Sequence, residues 1–104
     1  MKIDCQIEEQ KKVKAYALEG ELDVHQAKEL KSRLAEDLEE GAWTYILHMD
    51  RVQYLDSSGL GMLVYLKKEI LRHGGKLRID GLKDTVLNVF KLTKLDDFFE
   101  LNSQ

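Results

Sequence analysis

Tyr54-Leu55-Asp56-Ser57-Ser58-Gly59-Leu60-Gly61-Met62-Leu63-Val64-Tyr65-Leu66 is a short polar turn that runs straight into an apolar helix. Asp56, Ser57 and Ser58 are residue types that cap helix N-termini, because a side-chain oxygen accepts from N–H groups with no partner in the first turn. Gly59 and Gly61 each cost roughly 1 kcal/mol in a helix interior relative to Ala. Two readings follow. In one, this is a capped helix with small residues for close packing. In the other, the glycines leave backbone uncovered beside a hydroxyl, and the positive end of the helix receives an anion such as a phosphate esterified to Ser57.

Working outward toward the N-terminus, Lys2 to Glu8 alternates polar and apolar with a period of two, as a strand with one wet face does, and points Ile3, Cys5 and Ile7 inward. Glu9-Gln10-Lys11-Lys12 reads as a turn and Val13 to Glu19 as the returning strand of a hairpin, ended by Gly20. Val24 to Glu40 places Ala27, Leu30, Leu34 and Leu38 at helical spacing, and Gly41 closes that helix. Tyr45 to Met49 reads as an inner strand, and Asp50 to Gln53 as a loop leading to the central turn.

Toward the C-terminus the helix after Ser58 runs to about His73 and stops at Gly74-Gly75. Its core side is read as Leu60, Leu63, Val64 and Leu71, with Met62 and Tyr65 pointing elsewhere as a landing surface for a partner. Lys76 to Asp80 alternates again before Gly81. A helix capped by Asp84 then carries Val86, Leu87, Val89, Phe90 and Leu92, and Leu95 to Phe99 forms a terminal turn or short helix.

Hairpin, helix, strand, helix, strand, helix predicts an α/β fold whose later strands are parallel, with right-handed crossovers and helices gathered on one sheet face. Parallel strands bring their carboxyl ends to one edge, where open sheets place their sites. Asp23, Asp50, Asp56 and Ser57 are therefore expected to share an edge.

Composition narrows the function. The 104 residues are read as one domain, with 43% hydrophobic and 34% charged side chains and no Pro. Sixteen basic and nineteen acidic residues are well mixed, for a net charge of −3, which argues against direct nucleic-acid binding. No apolar run approaches the roughly 18 residues a membrane span needs, and Met1 to Gln6 lacks the apolar stretch of a signal peptide, so a cytoplasmic location without membrane insertion is expected. Cys5 is alone and reads as a small core hydrophobe. His25, His48 and His73 lie on separate elements without ligand spacing, so no metal or other cofactor is expected. Ser57 lacks the G-x-S-x-G elbow and a His partner of a hydrolase, and the chain is read as a non-enzyme. A Mg-binding phosphoreceiver would fit the acidic edge but not the strand count or the Ser-Gly helix start.

Tyr54 to Gly61 resembles the signature of the anti-sigma factor antagonists, the bacterial single-domain STAS proteins. Gly20-Glu21-Leu22-Asp23 resembles their second marker and His73-Gly74-Gly75-Lys76-Leu77 a third, in the family's order and spacing, so the resemblance covers essentially the whole chain, 1–104. It implies a four-stranded mixed sheet, an N-terminal hairpin followed by βαβαβ, with helices mainly on one face. It also implies partner switching. The dephosphorylated protein binds an anti-sigma factor that is a GHKL-type serine kinase, a sigma factor is released, the kinase phosphorylates Ser57, and a PP2C-type phosphatase reverses the mark. Asp23, Asp56, Ser58, Gly59, Met62 and Tyr65 would then face the partner. Lys94 departs from the family, where Gly commonly follows the Thr or Ser. STAS domains also serve as non-switching modules in stress-signalling scaffolds and phospholipid-transport ATPase complexes, which is the alternative reading.

Overall fold

The structure is a computed structural model that describes residues 1–101. Seven elements follow one another: β1 (Lys2–Glu8), β2 (Val13–Leu22), α1 (Val24–Asp37), β3 (Thr44–Leu55), α2 (Ser57–Arg72), β4 (Lys76–Asp80) and α3 (Asp84–Leu92). The strands form one mixed sheet in the order β1-β2-β3-β4, antiparallel between β1 and β2 and parallel across β2/β3 and β3/β4. This is the architecture expected from the sequence.

Alternation explains which face the helices cover. Tyr16 and Leu18 on β2, Tyr45, Leu47 and Met49 on β3, and Leu77 and Ile79 on β4 are all buried, while their immediate chain neighbours are more exposed. Leu30 and Leu34 of α1, Leu63, Leu66 and Ile70 of α2 and Phe90 of α3 complete the same core. Phe90 and Phe99 meet edge to face with centroids 5.3 Å apart, which seats the C-terminal turn on that core.

The strands run further than the sequence pattern suggested. β2 does not stop at Gly20: it bends there, with φ +129°, and continues to Leu22 through register shifts beside β3. β3 likewise runs through Asp50 to Gln53, expected as a loop, because the bulged end of β2 still offers it hydrogen-bonding partners as far as Leu55. α1 ends at Asp37 with Leu38 as its C-cap, short of Gly41. α3 begins at Asp84 itself, and Lys83 at its N-cap makes no side-chain bond. After α3, Lys94 takes φ +60°, a left-handed conformation that Gly would adopt without strain. The helix end is retained with Lys in that place.

Candidate functional site

β2 and β3 end side by side, Leu22 being the register partner of Leu55. The next residues, Asp23 and Asp56, are the N-caps of α1 and α2, so two helix N-termini emerge together at one sheet edge. Asp23 Oδ1 accepts from the N–H groups of His25 at 3.0 Å and Gln26 at 2.9 Å. Asp56 Oδ1 accepts from the Gly59 N–H at 3.0 Å, and the Asp56 N–H donates to the Leu22 carbonyl at 3.4 Å, stitching the two corners together. Both carboxylates thus serve a helix dipole as well as carrying charge.

Ser57 and Ser58 follow the cap as the first helical residues and are exposed. The first-turn N–H groups of an α-helix have no partner within the helix, and Asp56 Oδ1 engages only that of Gly59, so the N–H groups of Ser57 and Ser58 face outward beside the hydroxyls. Among the described residues no side chain hydrogen-bonds the Ser57 hydroxyl.

Gly59 resolves the two readings of the glycines differently from Gly61. Gly59 is buried, and a Cβ on it would lie 2.4 Å from the Leu22 carbonyl oxygen. It is a packing glycine, not uncovered backbone. Gly61 is exposed, with nothing within 4 Å of such a Cβ. Ser57, Gly61 and Tyr65 therefore form an exposed stripe at four-residue spacing. The Lys31 ammonium of α1 sits 4.2 Å over the Tyr65 ring, which is 42% exposed. Val24 and Tyr54 add apolar surface near the same edge, at 44% and 49% exposure.

Gly59, expected to face the partner, is buried, and Ile7, expected to point inward, is 48% exposed near the end of the edge strand β1; three further placements are corrected. Met62 does not point away from the core but is 7% exposed, because α2 packs on α1 as well as on β3 and β4, which widens its buried arc. Leu71, assigned to the core, is half exposed. Asp50 is not at the shared edge: it lies inside β3 against Gly81, six residues or roughly 20 Å of strand before Asp56. Asp23, Asp56, Ser57 and Ser58 lie at the two neighbouring helix N-termini, and Tyr65 lies two turns, roughly 12 Å, further along α2. Sequence reasoning treated Gly61 together with Gly59 and missed Lys31, Val24 and Tyr54; the four-residue spacing from Ser57 through Gly61 to Tyr65 was the signal that separates the two glycines.

Among the described residues no group of His, Cys, Asp and Glu is arranged to hold a metal ion. His48 instead bonds Asp80 through Nδ1 at 2.7 Å. No helix among them is long and apolar enough to cross a membrane.

The profile of the STAS domain family matches residues 4–104. The anti-sigma-B factor antagonist of Bacillus subtilis strain 168 is 34% identical over 85 residues, which are 82% of this chain and 77% of that protein. In fold, the chain is similar to the anti-sigma factor antagonist SpoIIAA in its unphosphorylated form, with a TM-score of 0.76, 24% identity, and coverage of 90% of this chain and 82% of that one. The phosphorylated form of SpoIIAA from Bacillus gives a TM-score of 0.68 at 20% identity, covering 92% and 86%. The chain belongs to the STAS domain family and is similar, within it, to the anti-sigma factor antagonists.

Proposed function

We propose that this chain is a cytoplasmic anti-sigma factor antagonist that works by partner switching, with Ser57 as its phosphorylation site. The unmodified form binds an anti-sigma factor that is also a GHKL-type serine kinase, through the α2 stripe and the Asp23/Asp56 edge, and a sigma factor is released. The kinase transfers the γ-phosphoryl group of its ATP to the Ser57 hydroxyl oxygen; the hydroxyl proton is lost and ADP leaves. A PP2C-type phosphatase hydrolyses the ester. In this reading the chain is a ligand and a substrate, not a catalyst.

The observation that carries the proposal is the exposed Ser57 in the first turn of α2, between the Asp56 cap and an accessible flank of Gly61 and Tyr65. The relatives add support, since similar proteins are named antagonists of an anti-sigma factor and one fold relative is known phosphorylated.

The test is intact-mass measurement after incubation with the candidate cognate anti-sigma kinase and ATP. Wild type is expected to gain one phosphate and Ser57→Ala none. Binding without any phosphate would replace the switch with a constitutive interaction module. A phosphate retained by Ser57→Ala would move the site elsewhere.

A further inference from the structure

The face of the sheet opposite the helices has an apolar middle. By the alternation whose other set is buried, Val13, Ala15 and Ala17 of β2 and Thr44 and Ile46 of β3 point to this side. Register places Val13 beside Thr44 and Ala15 beside Ile46. A sheet face meant only for water would carry polar residues in its centre.

The two rims differ in sign at one end: β1 turns Lys2, Asp4, Gln6 and Glu8 to this face, and β4 turns Lys76, Arg78 and Asp80 to it, so Glu8 stands at the level of Lys76. On β1, Asp4 and Glu8 flank Ala17 and Val13. On β4, Lys76 and Arg78 flank Thr44 and Ile46. Lys76 and Arg78 are exposed, as are Asp4 and Glu8. Asp80, further along β4, is already met within the chain by His48 at 2.7 Å and Arg78 at 4.0 Å. An apolar centre bordered by charge is the anatomy of an interface, and this one is complementary to itself at the end that carries Glu8 and Lys76.

We propose that the open sheet face binds a second copy of this chain, sheet against sheet, about a twofold axis running along the strands. That rotation lays β1 of each copy over β4 of the other without reversing strand direction, so Glu8 meets Lys76, Gln6 meets Arg78 and Asp4 meets Asp80 in two equivalent places, the Asp80 charge being already met by His48 and Arg78 of its own chain. A twofold across the strands would lay the acidic rim on itself. Four strands about 4.8 Å apart and four rows of outward side chains give roughly 500 Å² per copy, or about 1,000 Å² in all. This is the low end for specific association, so the dimer is weak and exchanges quickly. It leaves α1, α2 and Ser57 free on the far side of both copies, and it stands independently of the switch.

Sedimentation velocity of the full chain from roughly 10 µM to 1 mM tests it, with circular dichroism confirming the fold of each variant. Wild type is expected to shift toward dimer at the upper concentrations, and less so in high salt. Glu8→Lys and Lys76→Glu each weaken self-association at least tenfold. An equal mixture of the two variants restores it, because every cross-copy pair is then of opposite sign. Gln6→Glu, which adds an acid opposite Arg78 of the other copy, tightens it severalfold. A wild type that remains monomeric at the top concentration overturns the proposal, as does a dimer indifferent to these charges or a mixture that fails to associate.

Discussion

A methyl group added at Gly59 would lie 2.4 Å from the Leu22 carbonyl oxygen and 2.8 Å from Leu55 Cδ1, whereas one added at Gly61 meets nothing within 4 Å. Gly59→Ala is therefore expected to lose about 1–3 kcal/mol of stability through overpacking where two strand ends and a helix converge. Gly61→Ala should gain up to about 1 kcal/mol, since Ala is the better helix former and no packing opposes it. Urea denaturation of the two variants decides both signs. Stability gives Gly61 no reason to be Gly; on the proposed docking stripe its missing side chain would let a partner backbone approach between Ser57 and Tyr65. Gly61→Ala should then be more stable yet bind the anti-sigma factor more weakly, by calorimetric titration, and unchanged affinity would take Gly61 out of the interface. The two glycines looked alike in the sequence because what separates them, the carbonyl of Leu22, is 37 residues away along the chain.

The elements were mostly legible where their own pattern was sufficient. Alternation found β1 and β4, helical spacing found the buried face of α1, and the Asp-Ser-Ser turn found the start of α2. What failed depended on neighbours: the extension of β3 rests on the bulged end of β2, and the burial of Met62 on the contact between α1 and α2. The C-terminal end of α1 is another junction of this kind. There the Tyr16 hydroxyl of β2 donates to Asp37 Oδ2 at 2.8 Å, while the buried Lys14 ammonium pairs with Glu39 at 2.6 Å and donates to the Asp37 carbonyl. Burial, and then the Asp37 carboxylate, push the Tyr16 phenol well above its ordinary range. An unfolded Tyr ionises near pH 10, so the stabilisation from neutral Tyr16 is fully present below that pH and is lost as pH rises above it. Tyr16→Phe is expected to cost about 1 kcal/mol at neutral pH through the lost hydrogen bond and to show a shallower alkaline decline. Denaturant midpoints of both proteins from neutral pH to above pH 10 measure the difference, and parallel curves would refute this role for Tyr16.

For the molecule as a whole, the proposed Ser57 phosphate would be a large charge change placed where the fold has little at stake. The chain carries a net charge of −3, and a phosphoserine adds about −1.5 to −2 more. At Ser57 that charge arrives outside the core, in the first turn of α2, where outward N–H groups and the positive helix end favour an anion. Asp23 and Asp56 oppose it, but each already serves as a cap, and Asp50 is too far along β3 to add to the repulsion. The opposing effects are both small in water, so the phosphorylated and unmodified proteins should melt within a few degrees of each other, given that about 1 kcal/mol moves the midpoint of a domain this size by roughly 4–8 °C. Binding is a different matter. A partner shaped to the Ser57-Gly61-Tyr65 stripe must bury the phosphate against two carboxylates and lose its hydration, so affinity should fall by at least tenfold while the melting point holds. Because the repulsive part is screened, that loss should narrow as salt is raised, whereas the desolvation part should persist. Paired measurement of melting point and affinity at two salt concentrations separates these contributions. A phosphorylated form that melts far below the unmodified one would mean that the switch works by loosening α2 rather than by changing the charge of the surface it presents.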